Sequence, residues 1–146
     1  MRLTGILSGF FGCVLLQSSA LAADGILRVI VSNLQSDTGS VIIWVYDGPD
    51  KWLSDTAWRT RKIVTVAGNR ANGSLTAELQ LPPGTYALSV FHDVNADGRL
   101  ERNFIGLPKE PAGLSNNLRP KFGPPRWAKA QFTVTADGAE QRIALN

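Results

Sequence analysis

Asp93, Asn95 and Asp97 stand at alternate positions and are followed at once by Gly98. This is the opening half of a calcium loop of the D-x-[DN]-x-[DN]-G form. Calcium takes six to eight oxygens at about 2.3–2.6 Å, alternate residues of a tight loop point inward, and glycine permits the turn that brings the next carbonyl round. Arg99 would then offer its backbone oxygen, Leu100 would anchor the loop to the core, and Glu101 would bind directly or through water. Three residues beyond Glu101, where an EF-hand carries its bidentate glutamate, stands Phe104, and no helical pattern flanks the loop. The loop is therefore no EF-hand, and its closing ligand must come from elsewhere, with Glu110 the best placed. So few carboxylates imply weak binding, on the order of 10⁻⁴ to 10⁻³ M. The competing reading is an acidic turn in which Asp93 and Asp97 accept backbone amides or pair with Arg99 and Arg102.

His92, the one histidine of the chain, adjoins this loop. Without partner histidines or cysteines it makes no zinc site, and packing at a strand end is its plain role. With Asp93 or Glu110 as acid and base and Ser115 as nucleophile, it would furnish a hydrolase. Ser115 follows Ala112-Gly113-Leu114, however, and lacks the G-x-S-x-G setting of an activated serine. Ser115 and Asn116 are, with His92, further loop candidates.

These residues need a scaffold, and the flanking sequence reads as strands. Leu27, Val29 and Val31 alternate with Arg28, Ile30 and Ser32, the period of a strand with one face buried. Residues 40–47 follow, apolar on both faces from Val41 to Tyr46, which predicts a central strand covered on both sides. Asp50 is positioned to cap a short helix running toward Trp58. Trp52 and Trp58 there serve either to plug one end of the core or as an aromatic platform for a ligand. Residues 61–66 form a third strand, and Leu75, Ala77, Leu79 and Leu81 mark a fourth. Pro82-Pro83-Gly84 forces a turn into a strand over residues 85–92, where Tyr86 can hydrogen-bond back across the corner. From Arg102 to Arg126 prolines and glycines break every period, yet Phe104, Ile105, Leu107, Leu114, Phe122 and Trp127 offer apolar area to anchor a long loop. Residues 130–135 and 141–145 resume the alternation around Asp137-Gly138. The expectation is an all-β, antiparallel β-sandwich, immunoglobulin-like or prealbumin-like, of about seven strands with one short helix and a long irregular loop. Antiparallel pairing follows from the lack of helices to cross between parallel strands.

Composition bounds the rest. The 146 residues suit one domain, with 15 basic against 12 acidic side chains and a net charge of +3. No basic run is present, which argues against nucleic acid as a partner. Arg2, an apolar stretch from Leu3 to Leu16 and Ala20-Leu21-Ala22 read as a secretory signal peptide over residues 1–22, ahead of a single domain over residues 23–146. The apolar stretch is about 14 residues, short of the roughly 20 a spanning helix needs. The apolar run continues past Cys13, unlike a lipidation site, and cleavage would leave a chain without cysteine. The expected product is exported, periplasmic or extracellular, free of transmembrane segments and monomeric.

Several motifs fall together: Leu81-Pro82-Pro83-Gly84-Thr85-Tyr86-Ala87, the run from Phe91-His92-Asp93 through Leu100, Asn103-Phe104-x-Gly106-x-Pro108-x-Glu110, Ser115-Asn116-Asn117, and Phe122-Gly123-Pro124-Pro125. Their combination over residues 26–146 resembles the bacterial family called domain of unknown function 2141. That resemblance implies an exported all-β domain and brings no activity with it. The function expected is a non-catalytic binding or interaction module for an unknown ligand or envelope partner, with a calcium-stabilised loop. A periplasmic hydrolase built on His92, or an envelope structural or assembly protein, is the alternative.

Overall fold

The computed structural model describes residues 22–146. The leader reading falls almost wholly on residues 1–21, outside the described residues.

Alternating sequence produces strands with one wet face. β1 (Gly25–Ser32) and β5 (Ser74–Leu81) bury every second residue, Leu27, Val29 and Val31 facing Leu75, Ala77, Leu79 and Leu81 across an antiparallel register. The two-residue β4 (Arg70–Ala71) pairs with β5, and β9 (Ala139–Ala144) closes the first sheet in the order β4-β5-β1-β9. The β1–β9 pair is parallel, the exception in sheets that otherwise pair antiparallel. Almost the whole domain lies between these two strands, so the fold itself makes the crossover and no helix is needed.

The second sheet runs β3-β2-β6-β7, with β3 at Thr60–Thr65, β2 at Ser40–Tyr46, β6 at Gly84–Asp93 and β7 at Ala112–Leu114. β6 shares its second edge: β8 (Phe132–Val134) pairs with residues 84–86 and β7 with residues 89–91. As the unbroken apolar run predicted, β2 is buried on both faces. Its inward side chains Val41, Ile43 and Val45 meet those of β1, β5, β6 and β9 in the main core. Its outward side chains Ile42, Trp44 and Tyr46 join Phe91 in a second cluster, roofed by Trp52, Trp58, Leu100, Ala112 and Trp127.

That roof corrects the expectation for residues 50–58. No helix forms there: turn bonds run from Lys51 N–H to Gly48 O and from Ser54 N–H to Lys51 O, and Leu53 adopts a left-handed φ of 61°. The irregular path lets Trp52 lie over Tyr46, ring centroids 5.3 Å apart and edge-on, while its Nε1 donates to Pro125 O at 2.9 Å. The indoles therefore cover a sheet face instead of plugging the sandwich end. Among the described residues the one α-helical turn, α1, falls later, at Trp127–Ala130. The predicted corner does form, Tyr86 Oη donating to Pro82 O at 2.8 Å. Among the described residues no helix is long and apolar enough to cross a membrane.

Candidate functional site

β6 ends by sending successive side chains to opposite faces, as a pleated strand must. His92 goes inward and is wholly buried. Its Nε2 lies 2.7 Å from Thr38 O; a carbonyl only accepts, so Nε2 carries the proton and donates. Nδ1 is buried with no hydrogen-bond partner among the described residues.

Asp93 goes outward, onto the face that carries Phe91, and is only 1% exposed. A buried carboxylate must be satisfied, and the chain beyond it curls back to do so. Asp97 N–H donates to Oδ1 at 3.2 Å and Gly98 N–H to Oδ2 at 2.8 Å. Left-handed φ values at Ala96 (58°) and Gly98 (75°) make that curl possible. Asn95 Oδ1 also accepts from Asp97 N–H at 3.3 Å, and Asp97 Oδ1 from Arg99 N–H at 2.8 Å. Residues 93–99 are thus wound around their own side-chain oxygens. Arg99 joins through its backbone, while Arg102 turns away to pair with Asp55 at 3.3 Å. Leu100 reaches the outer cluster, the anchoring role expected of it.

Glu110 lies two residues ahead of β7. Extending the β6–β7 register from Phe91↔Ala112 by two residues sets Glu110 opposite Asp93, and the bond from His92 N–H to Pro111 O at 2.9 Å continues that ladder. The sequence points to Glu110 as the closing ligand of a calcium loop, and the register sets its backbone position opposite Asp93. Burial first, and then the Asp93 charge, raise the Glu110 carboxyl above its usual range, against a hydrogen bond from the Glu101 backbone that lowers it. Its Oε2 is enclosed without a partner among the described residues. Glu101 itself is exposed, 3.9 Å from Lys109 Nζ. Among the described residues no three Asp, Glu, His or Cys side chains converge as a metal-ligand set. What the arrangement supplies is two carboxyls on neighbouring register positions, whose mutual repulsion disfavours ionising both.

The remaining loop candidates belong to a different construction. Ser115 is fully buried, its Oγ accepting from Leu88 N–H at 2.9 Å and donating to Ala130 O at 2.6 Å. Continuing the β7 register by one residue puts Ser115 opposite Leu88, in the gap between β8 and β7 where no strand reaches that amide. Leu88 and His92 lie four residues apart on β6, roughly 13 Å along a strand, so Ser115 and His92 are not partners. Asn116 Nδ2 donates to Lys129 O and Gln131 O, both at 3.0 Å, and its N–H to Gln141 Oε1 at 2.7 Å. Asn117 Oδ1 accepts from Ala144 N–H at 3.1 Å. Both asparagines are left-handed, a conformation this residue type tolerates best after glycine. The Ser-Asn-Asn run was the available signal for this clamp, which ties β6, β9 and α1 together.

The apolar residues expected to anchor the long loop divide. Leu114 and Trp127 are half-buried, whereas Phe104 is 99% and Phe122 95% exposed, with Ile105 and Leu107 also in solvent. Polar bracing replaces apolar anchoring at the first tip. Asn103 N–H donates to Leu107 O at 2.8 Å, and Asn103 Oδ1 accepts from Ile105 N–H and Leu107 N–H at 3.1 and 3.0 Å. Surface clefts of about 480 and 610 Å³ lie elsewhere, and neither is lined by His92, Asp93, Glu110 or Ser115.

A family model for an uncharacterized protein conserved in bacteria matches residues 29–143. No curated protein and no solved structure matches the chain.

Proposed function

From a chain that belongs to the bacterial family domain of unknown function 2141 no activity is inherited, and we propose that it works as an exported, non-catalytic interaction module. The observation that carries this reading is the exposure of Phe104, Ile105, Leu107 and Phe122 on loops that project from a doubly covered sheet. Exposed large apolar groups held by a braced backbone are characteristic of contact surfaces. The hydrolase reading, by contrast, loses its nucleophile, since the Ser115 hydroxyl is buried and engaged both as donor and as acceptor.

The test is fractionation of bacterial cells that express the full chain, as wild type and as Phe104→Ser/Phe122→Ser. Both side chains are solvated, so the double variant should melt like the wild type. Retention of the wild type on envelope fractions and release of the variant supports the reading. Equal distribution of the two overturns it.

A second reading keeps the weak calcium site. It is favoured by the enclosed, unpartnered Glu110 Oε2 opposite Asp93, with Asn95, Asp97, Arg99 and Glu101 in the same loop. A cation there would offset the repulsion between the two carboxylates. At calcium a hundredfold above its dissociation constant the fold should gain about 2.7 kcal/mol. A melting temperature unmoved by several millimolar calcium removes this reading and leaves the interaction module intact.

A further inference from the structure

We propose that the loops bearing Phe104 and Phe122 are insertion tips, and that the partner they dock on is an anionic phospholipid surface. This rests on the interaction-module reading and names its partner.

The two loops leave the domain from one side. Arg102 Nη2 holds the first to Asp55 Oδ1 at 3.3 Å, and Trp52 Nε1 holds the second to Pro125 O at 2.9 Å. Trp52 and Asp55 belong to the same turn over the outer face of the second sheet. Phe104, Ile105 and Leu107 sit at the end of the first loop and Phe122 at the end of the second, each in solvent. The first tip carries its own braces at Asn103, so entering an apolar medium would cost it little ordering.

Charge decides between possible partners. Residues 99–129 hold seven basic residues (Arg99, Arg102, Lys109, Arg119, Lys121, Arg126 and Lys129) against Glu101 and Glu110, a net of +5 in a chain whose total is +3. The rest of the chain is therefore net negative, and both apolar tips fall within this basic segment, Arg102 two residues before Phe104 and Lys121 next to Phe122. Arg99, Lys121, Arg126 and Lys129 make no salt bridge among the described residues. Apolar side chains on separate projecting tips, collared by unpaired cations, suit a deformable medium that is apolar within and negative at its surface. Two separate tips offer a protein partner less continuous area than a standard stable interface buries.

The purified chain is to be sedimented with protein-free vesicles of equimolar phosphatidylglycerol and phosphatidylcholine, and with phosphatidylcholine alone. The anionic vesicles should bind at least about tenfold more strongly, and about 0.5 M sodium chloride should release most of the protein, since screening shortens the reach of surface charge. Phe104→Ser/Phe122→Ser should lower the partition about tenfold with an unchanged melting curve, and Arg99→Glu/Lys121→Glu should lower it on anionic vesicles. Failure of the wild type to bind anionic vesicles, equal binding to neutral ones, or a double serine variant that binds like the wild type would each overturn the proposal. If vesicles fail while envelope retention still needs Phe104 and Phe122, the lipid partner is refuted and the interaction reading survives with a protein partner.

Discussion

Ser115→Ala removes one oxygen and unmakes two buried hydrogen bonds. Leu88 N–H loses its acceptor at 2.9 Å and Ala130 O its donor at 2.6 Å, both at a residue with no solvent exposure. Neither group has a substitute: β8 ends its pairing at Tyr86 and β7 begins at Ser89, so the Leu88 amide faces the gap between them. Leaving a buried donor or acceptor unsatisfied costs about 1–3 kcal/mol each, so a loss of about 2–6 kcal/mol is expected. With a urea slope of roughly 1–3 kcal/mol per molar, the unfolding midpoint should fall by about 1 M or more while the slope stays unchanged. Urea titration followed by far-UV circular dichroism measures this, and amide exchange at Leu88, made faster in the variant, locates it. A loss under about 0.5 kcal/mol, the size of an ordinary surface substitution, would refute the argument. So would a Leu88 amide that exchanges as slowly as in the wild type.

Other perturbations test other parts of the frame. Tyr86→Phe deletes the corner bond to Pro82 O and should cost about 1 kcal/mol in denaturant unfolding; no loss would mean that the corner is held by packing alone. At Gly39, with φ of 75°, an added Cβ would strike Asp93 O and come within 2.7 Å of Val94 Cα. Gly39→Ala should therefore lower stability by about 2 kcal/mol or more, and an unchanged melting temperature would contradict the crossing of these two loops. For Glu110, the raised carboxyl pKa means that the folded chain keeps this proton to higher pH than the unfolded chain, whose value is about 4.5. The ionised side chain then weakens the fold above the folded pKa, and the penalty disappears as pH falls below about 4.5. Glu110→Gln should accordingly melt higher than the wild type at neutral pH and alike in acid; a variant less stable at neutral pH would reverse the reasoning.

The strands were legible because burial on one face writes a period of two into the chain, and on both faces an unbroken apolar run. Leu27 to Val31, Val41 to Tyr46 and Leu75 to Leu81 each sit as their patterns require. Residues 50–58 misled because Asp50 has the chemistry of a cap, while the local path is decided by Trp52 seeking the outer face and Pro125. The long loop misled in another way. Its apolar composition suggests packing, but Asn103, Ser115, Asn116 and Asn117 order it through hydrogen bonds, leaving Phe104 and Phe122 in water.

On its own, the order of residues determined that Asp93, Asn95, Asp97 and Gly98 would form a tight oxygen-rich turn, because Asn and Asp side chains bond the backbone amide two residues on, as Asn95 does to Asp97 and Asp97 to Arg99. Only the tertiary structure could decide the company that turn keeps. Strand register set Glu110 beside Asp93, the pleat sent His92 to the opposite face, and the gap between β8 and β7 claimed the Ser115 hydroxyl. Those are contacts between segments far apart in the chain. They follow from register and layer packing, which no local pattern encodes.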